Sequence, residues 1–567
     1  MPRASPLPPL SIHLHRLSPN LHRLSPLSAF SPCECLALLL SILCVLEGPV
    51  APESHLPGKD SPDERLLPVG CHLKRVTVQR SLVIVIMSAL FLLFCLVGGA
   101  WGRRYYGSLT EDCIPAADYD PSFVFFPESF QVRGDVDSRV RRDGGVVVEV
   151  ADDFRVRYGS NFKVVDNLRV NETYVLYQCG TTPPEISDGP SIKLFEIPLS
   201  SVALPDVTAS SFLTELGVAD RVKYASNFAT DACLQKLTHK CGKIAETPGS
   251  PFADENGLRM QNRRSDGIFV FSATNHSKTI AFTATADPAV LKRAEWVKFV
   301  SLFFNKEREA NLFFDEVKES WEKFNMHEGK KKKENSEGPL VAWISFQDYD
   351  GKEFFIHAAP YKVEYIKAAG GRVLDVPSIE KRKGVTPTTN GVLIEFNKRN
   401  TTALELLHDI LSDVDIVIDE TYQQNNTAYD IASFYAQYGM TSSKSEKGNK
   451  GFKFVKRNKV FRLDGTIGKN PMGTDSMDWY ETGVARPDLV LKDFQVAFGT
   501  QKHKRHERIW LRNLSEGEVP RVIHHKQCKT FASCNARPSV ICPSVQVTCL
   551  GEIEYRTGTE CQPIICN

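Results

Sequence analysis

The sequence carries almost no net charge: 69 Lys and Arg stand against 68 Asp and Glu, a formal balance of +1. That excludes the broad basic field expected of nucleic-acid or anionic-membrane binders, and leaves any partner to local sites. Catalytic signatures are also missing. The chain has no nucleophile elbow, no phosphate-cradling glycine loop, no His-Glu-x-x-His helix and no Cys-x-x-Cys pair with zinc spacing. An enzyme is therefore not expected. The first 80 residues lack the hydrophobic periodicity of a core; they are rich in Pro, Ser, Leu and His and repeat Leu-His-Arg-Leu-Ser-Pro at 14–19 and 21–26. Such a stretch is low-complexity, and is either disordered or absent from the mature protein.

What is present begins with one long apolar run, Leu82 to Ala100, behind Lys74, Arg75 and Arg80 and followed by small residues. Residues 81–102 read as a signal peptide if translation starts at Met87, or as a signal anchor if it starts at Met1. Either way the rest enters the secretory pathway, for the cell exterior or surface. Ten of the 15 cysteines lie beyond residue 102: Cys113, Cys179, Cys233, Cys241, Cys528, Cys534, Cys542, Cys549, Cys561 and Cys566. An even count in an exported chain predicts disulfides, with the last six stapling a tail at 501–567. Five sequons, at Asn171, Asn275, Asn400, Asn425 and Asn513, fit the same oxidising compartment and are candidate glycosylation sites.

At 567 residues two or three globular units are expected. Residues 103–190 alternate short β-like runs, among them 145–150, 162–165 and 174–177, with Gly, Asn and Asp: a β-rich lead-in. From 191 the grammar becomes βα. A strand at 192–199, a helix at 209–216 and strands at 222–225, 268–271 and 279–283 make a first lobe over 191–304. Ala310, Phe313, Phe314, Val317, Trp321 and Phe324 recur at helical spacing, which predicts one long amphipathic helix over 305–325. A second βα lobe fills 326–500, with strands at 340–346, 354–357 and 416–418 and helices at 361–369, 404–411 and 428–438. The fold class is thus α/β: two βα lobes joined by a long helix, a β-rich N-terminal lead-in and a disulfide-rich C-terminal tail.

Several segments carry a family resemblance. They are Phe212-Leu-Thr-Glu-Leu-Gly-Val-Ala-Asp-Arg-Val222, the helix pair over 289–325, Tyr361-Lys-Val-Glu-Tyr-Ile-Lys-Ala-Ala-Gly-Gly371, Leu411-Ser-Asp-Val-Asp-Ile-Val-Ile418 and Arg486-Pro-Asp-Leu-Val-Leu-Lys-Asp493. In order and spacing they resemble the bacterial substrate-binding proteins for siderophores, haem and vitamin B12, over about half the chain. The lead-in, cysteines and sequons make this chain look like a eukaryotic secreted homologue. The resemblance implies capture of an iron chelate, haem, a corrinoid (cobalamin) or a metal in a cleft that closes between the lobes. It also implies a membrane transporter or cell-surface partner.

In open α/β lobes ligands sit outside the carboxyl ends of the strands. The ligand-binding candidates at such positions are Thr208, Asn227, Trp343, His357, Tyr361, Glu420, Tyr422 and Trp479, the aromatics offering flat apolar faces. A direct divalent-metal site would instead gather His276, His357, Glu420 and Asp475. Two further readings remain: a secreted surface or wall interaction protein that reuses the scaffold without transport, and a cleft enzyme of unknown reaction.

Overall fold

The computed structural model describes residues 113–114, 126, 145–185, 191–248, 255–325, 338–348, 351–396, 402–440, 451–469, 473–503, 505–528, 545–549 and 552–556. The apolar run at 82–100 and the sequon at Asn400 lie outside these residues. Among those described, no helix is long and apolar enough to cross a membrane.

The lead-in is a four-stranded sheet in chain order: β1 (Phe154–Tyr158), β2 (Phe162–Asn167), β3 (Glu172–Gln178) and β4 (Ile192–Ile197). The first three strands are antiparallel, and β4 lies parallel to β3 with Val175 opposite Leu194. Two expectations fail here. The strand expected to open the first lobe instead closes the lead-in sheet. Residues 145–150 form no strand, because the backbone N–H groups of Glu149, Val150 and Ala151 donate to the buried Glu295 carboxylate at 2.6–2.7 Å. A side chain from a distant helix replaces the neighbouring strand. Nor is the lead-in a separate module: Phe154, Val165 and Tyr174 share one apolar cluster with Phe269, Trp296, Phe299 and Phe303 of the first lobe.

That lobe is a parallel five-stranded sheet in the order β7-β6-β5-β8-β9. Its elements are β5 (Val202–Leu204), α1 (Ser210–Glu215), β6 (Val222–Ala225), α2 (Ala232–Gln235), β7 (Ala245–Glu246), α3 (Glu255–Arg264), β8 (Gly267–Val270) and β9 (Thr279–Ala281). Gly217, at φ +73°, ends α1 in the left-handed region that favours glycine. Next come α4 (Val290–Leu302), almost wholly buried, and α5 (Glu307–Phe324), 18 residues and about 27 Å long. The expected stripe on α5 serves both lobes. Ala310, Phe314 and Val317 enter the first lobe's core, and Trp321 enters the second's, edge-on to Tyr365.

The second lobe contains β10 (Leu340–Asp348), β11 (Lys352–His357), α6 (Pro360–Ala368), β12 (Arg372–Val373), α7 (Val376–Glu380), β13 (Thr386–Thr388), β14 (Gly391–Phe396), α8 (Ala403–Leu411), β15 (Ile416–Asp419), α9 (Ile431–Gln437), α10 (Lys453–Lys456), β16 (Val460–Arg462), β17 (Thr466–Lys469), β18 (Asp475–Met477), α11 (Thr482–Ala485), α12 (Pro487–Phe498), β19 (Arg512–Asn513) and β20 (Arg521–Val522). The main sheet runs β13-β14-β11-β10-β15-β16-β19, with β12 also on β10. Along β10 the side chains alternate between two cores: Ala342 and Ile344 on one face, Val341 and Trp343 on the other. One edge of β10 is forked. Leu340 and Val341 pair in parallel with β12, whereas Ile344 to Asp348 pair antiparallel with β11. The two partner strands part company at Ala342 and Trp343.

A small sheet, β18-β17-β20, hangs beside this lobe. Cys528, just beyond β20, is bonded to Cys233 in α2, 295 residues earlier, and Cys113 is bonded to Cys179. Cys241 is disulfide-bonded as well. Cys528 therefore does not staple the tail to itself, as the spacing suggested; it ties the tail to the first lobe. The side chains of the five later cysteines lie outside those described.

Candidate functional site

The carboxyl ends of the two sheets lie on the faces that meet. From the first lobe, Ser210 at the start of α1 and Thr230 beyond β6 reach Glu481 of the second: Ser210 Oγ donates to Glu481 Oε2 at 2.5 Å and the Thr230 N–H to Oε1 at 2.7 Å. Thr230 Oγ1 also donates to Asp478, whose other oxygen accepts the Trp510 indole N–H at 2.9 Å. With the Cys233–Cys528 bond alongside, the lobes are bolted at this end. The cleft expected to close between the lobes is anchored there.

Burial, with the charges of Asp478 and Asp231 added, outweighs these hydrogen bonds and pushes the Glu481 carboxyl up to about 8. The folded value exceeds the unfolded one of about 4.3. The bolt's stability is therefore complete below the unfolded value and is lost as pH rises through about 8. Glu481→Gln keeps the neutral shape at every pH. Urea midpoints of the parent and the variant are expected to agree near pH 4 and to diverge above it, with the parent falling toward pH 9. Parallel profiles would refute the assignment.

At the carboxyl end of β15, Glu420 gathers groups from three elements. It accepts the indole N–H of Trp343 at 2.8 Å and the hydroxyl of Tyr480 at 3.1 Å, and it pairs with Lys362 of α6. The Lys362 ammonium also lies 4.8 Å from the centre of the Trp343 ring. Burial opposes charge on both partners. For Glu420 the Lys362 and His357 neighbours win and hold its carboxyl below the usual range, whereas burial leaves Lys362 below its own usual value. Both Glu420 oxygens are engaged, so it fixes its neighbours and has little left for a ligand. Tyr361 stacks under the Arg293 guanidinium of α4, 3.7 Å from the ring centre, and the Val290 N–H donates to Glu364 of α6. Helices α4 and α6 are thus clamped across the lobe boundary.

The remaining candidates divide. Trp343 and Trp479 are 1% and 5% exposed and pack on each other and on Phe494, so they are core and offer no face to solvent. His357 shares a hydrogen bond with Ser345 through Nε2 at 2.8 Å, and burial followed by the Lys362 charge pushes its imidazole down to about 4, leaving it neutral at pH 7. Thr208 is half-buried, its N–H taken by Asp206, and Asn227 donates to Glu246. Tyr422 is 62% exposed.

The metal quartet does not assemble: among the described residues no three His, Cys, Asp or Glu side chains are grouped to hold an ion. His276 sits in an exposed turn of the first lobe, accepting the Lys278 N–H, and Asp475 is consumed by Lys469 and the Asn426 N–H. Among the sequons, Asn513 lies in the interior. Its side chain is buried in β19, where the amide donates to Asn458 and the carbonyl accepts the Ser515 N–H. Asn171, Asn275 and Asn425 are exposed.

Sequence reasoning picked Tyr422 but missed the set of exposed rings to which it belongs. Phe228 follows β6, Phe271 follows β8, Tyr422 follows β15 and Tyr480 follows β18; they are 48, 51, 62 and 46% exposed. Three of the four follow parallel strands of the two main sheets. A signal existed, since an aromatic just past a buried strand end falls where ligands sit; the buried tryptophans drew attention from it.

No family model matches the chain, and no curated protein matches it. Solved structures do. A periplasmic haem-binding protein from Pseudomonas aeruginosa is 11% identical, with a TM-score of 0.36 over 54% of this chain and 94% of its own. A periplasmic binding protein from Veillonella parvula is 10% identical, with a TM-score of 0.38 over 62% and 99%. A FhuD-fold periplasmic component of a ferrichrome transporter from Bacillus subtilis is 14% identical, with a TM-score of 0.32 over 54% and 99%. At such identities and scores none of these likenesses assigns a ligand or a role to this chain.

Proposed function

We propose that this is an extracytoplasmic small-molecule-binding protein whose ligand lies between the lobes against Phe228, Phe271, Tyr422 and Tyr480. The observation that carries this reading is the placement of these exposed rings past strand ends of both lobes, with Tyr480 bonded to the clamped Glu420–Lys362 pair. Exposed rings suit a ligand with a broad apolar body, and the tyrosine hydroxyls suit its polar groups. A ferric siderophore, haem or a corrinoid has that chemistry. The disulfides favour the secretory pathway and the cell exterior. A membrane transporter would be the downstream partner.

The test is thermal unfolding of the intact protein with hemin, ferrichrome or cyanocobalamin. A ligand at 100 times its Kd adds about 2.7 kcal/mol, which a melting curve reads easily. One of the three is expected to raise the midpoint. Tyr422→Ala with Phe271→Ala should weaken it at least about tenfold, the scale of about 1.4 kcal/mol, while leaving the ligand-free midpoint unchanged. No shift with any probe, or binding indifferent to both rings, would refute the reading. A second reading, a surface interaction protein with an unused cleft, is favoured by the interlobe bolt, which resists the lobe movement a transport receptor relies on.

A further inference from the structure

The fork in β10 leaves a cavity of about 180 Å³ in the second lobe. Val341, Trp343, Ile356 and His357 line it from the strands, Val363 and Ile366 from α6, and Ala358 with residues 373, 374, 376 and 377 completes the wall. Its existence follows from topology. Strands β11 and β12 compete for one edge of β10, the first running antiparallel and the second parallel. Where they diverge, neither can fill the space beneath α6. Open α/β sheets accept ligands outside the carboxyl ends of their strands, and the wall at Leu374, Val376 and Pro377 follows that end of β12.

We propose that this cavity is a binding site for one small, mainly apolar molecule with a single ring or a short branched skeleton and one hydroxyl. Three observations support it. The volume falls below the roughly 300–1,000 Å³ of sites for drug-sized ligands, and is close to the about 150 Å³ apolar cavity that stays dry and takes up benzene. A chelate or haem is therefore excluded, so this site is distinct from the interlobe one and stands whether or not that reading holds. Ten of the eleven lining residues are apolar, and the remaining one is His357. Its Nε2 is held by Ser345, and among the described residues no partner takes Nδ1. A neutral ring with one free nitrogen can orient a hydroxyl without placing a charge in an apolar wall. The rim residue Pro377 is exposed, which gives a small molecule a way in.

The probes are toluene and phenol, titrated by ligand-observed NMR into the full-length protein. Both are expected to saturate one site, phenol about fivefold more tightly, the range of one neutral hydrogen bond. His357→Leu should abolish that preference and spare toluene. Val363→Phe fills the cavity from α6, and Pro377→Trp covers its mouth without altering the core. Each should weaken both probes at least tenfold while the thermal midpoint holds or rises. If neither probe saturates, or if both variants keep the parent's midpoint and still bind like the parent, the cavity is no ligand site. A phenol preference that survives His357→Leu would overturn the role given to the imidazole.

Discussion

Replacing Arg462 with leucine is expected to cost about 3–5 kcal/mol, enough to remove much of a domain's stability. Arg462 is the last residue of β16 and is fully buried. Its guanidinium donates to Asp419 at 2.6 Å, Asp464 at 2.8 Å, the Thr421 carbonyl at 2.9 Å and Asn426 at 3.1 Å, and lies over the Tyr429 ring. Burial opposes the charge, but Asp419 and Asp464 prevail and hold the guanidinium above its usual range. Without it Asp464 keeps Arg512, whereas Asp419 retains only neutral partners, chiefly the hydroxyls of Tyr438 and Thr421. An uncompensated buried carboxylate is the source of the cost. Arg462→Lys should also lose stability, because one ammonium cannot reproduce a planar fork. Urea unfolding followed by circular dichroism measures both. The site should suffer as well: residues 420–426 carry Glu420 and Tyr422, and this network holds their backbone. A loss below about 1 kcal/mol in Arg462→Leu would show the network to be dispensable.

Lys163→Met should be of similar size, about 3–5 kcal/mol at neutral pH. Lys163 reaches from β2 to the corner between α4 and α5, donating to the Leu302 carbonyl at 2.9 Å and Asn305 Oδ1 at 2.7 Å and pairing with Glu307. The charges complement both helix ends, a cation at the end of α4 and a carboxylate at the start of α5. Burial nevertheless leaves Lys163 below and Glu307 above their usual values. In the variant burial at Glu307 is opposed only by a backbone hydrogen bond. Its folded value stays raised, so the stability that remains is fullest below about pH 4.3 and falls as pH climbs through the folded value. Lys163→Met should thus approach the parent in acid, and adding Glu307→Leu should recover stability at pH 7. A double variant no better than the single one would show that the unpaired charge is not the cause. Equilibrium unfolding at pH 4.5 and 7.5 separates these cases.

How legible the molecule was depended on the range of the interaction. The strand at 222–225 appears at its expected bounds and the helix at 404–411 within one residue, because apolar spacing and glycine stops act over a few residues. The strand at 192–197 was expected as a strand, but its sheet was misassigned, since partner choice is settled by β3 and not by its own residues. Residues 145–150 have strand-like composition and no strand, because Glu295 took their N–H groups. The site shows the same division. The strand-end rule found Tyr422 and the Glu420 turn, but not that Trp343 and Trp479 are sealed beneath α6 and α12.

By itself the sequence determined the class of fold: where the chain alternates strand and helix, which stripe of α5 is apolar, and that cysteines such as Cys113 and Cys179 form disulfides. Tertiary structure alone decided that Cys528 meets Cys233, that Glu481 sits neutral between the lobes, that β11 and β12 divide one edge of β10, and which rings remain in solvent. The physical reason is distance along the chain. Periodicity and caps are properties of neighbouring residues, whereas burial, ion pairing and cavity shape arise between segments that meet only once the chain has folded.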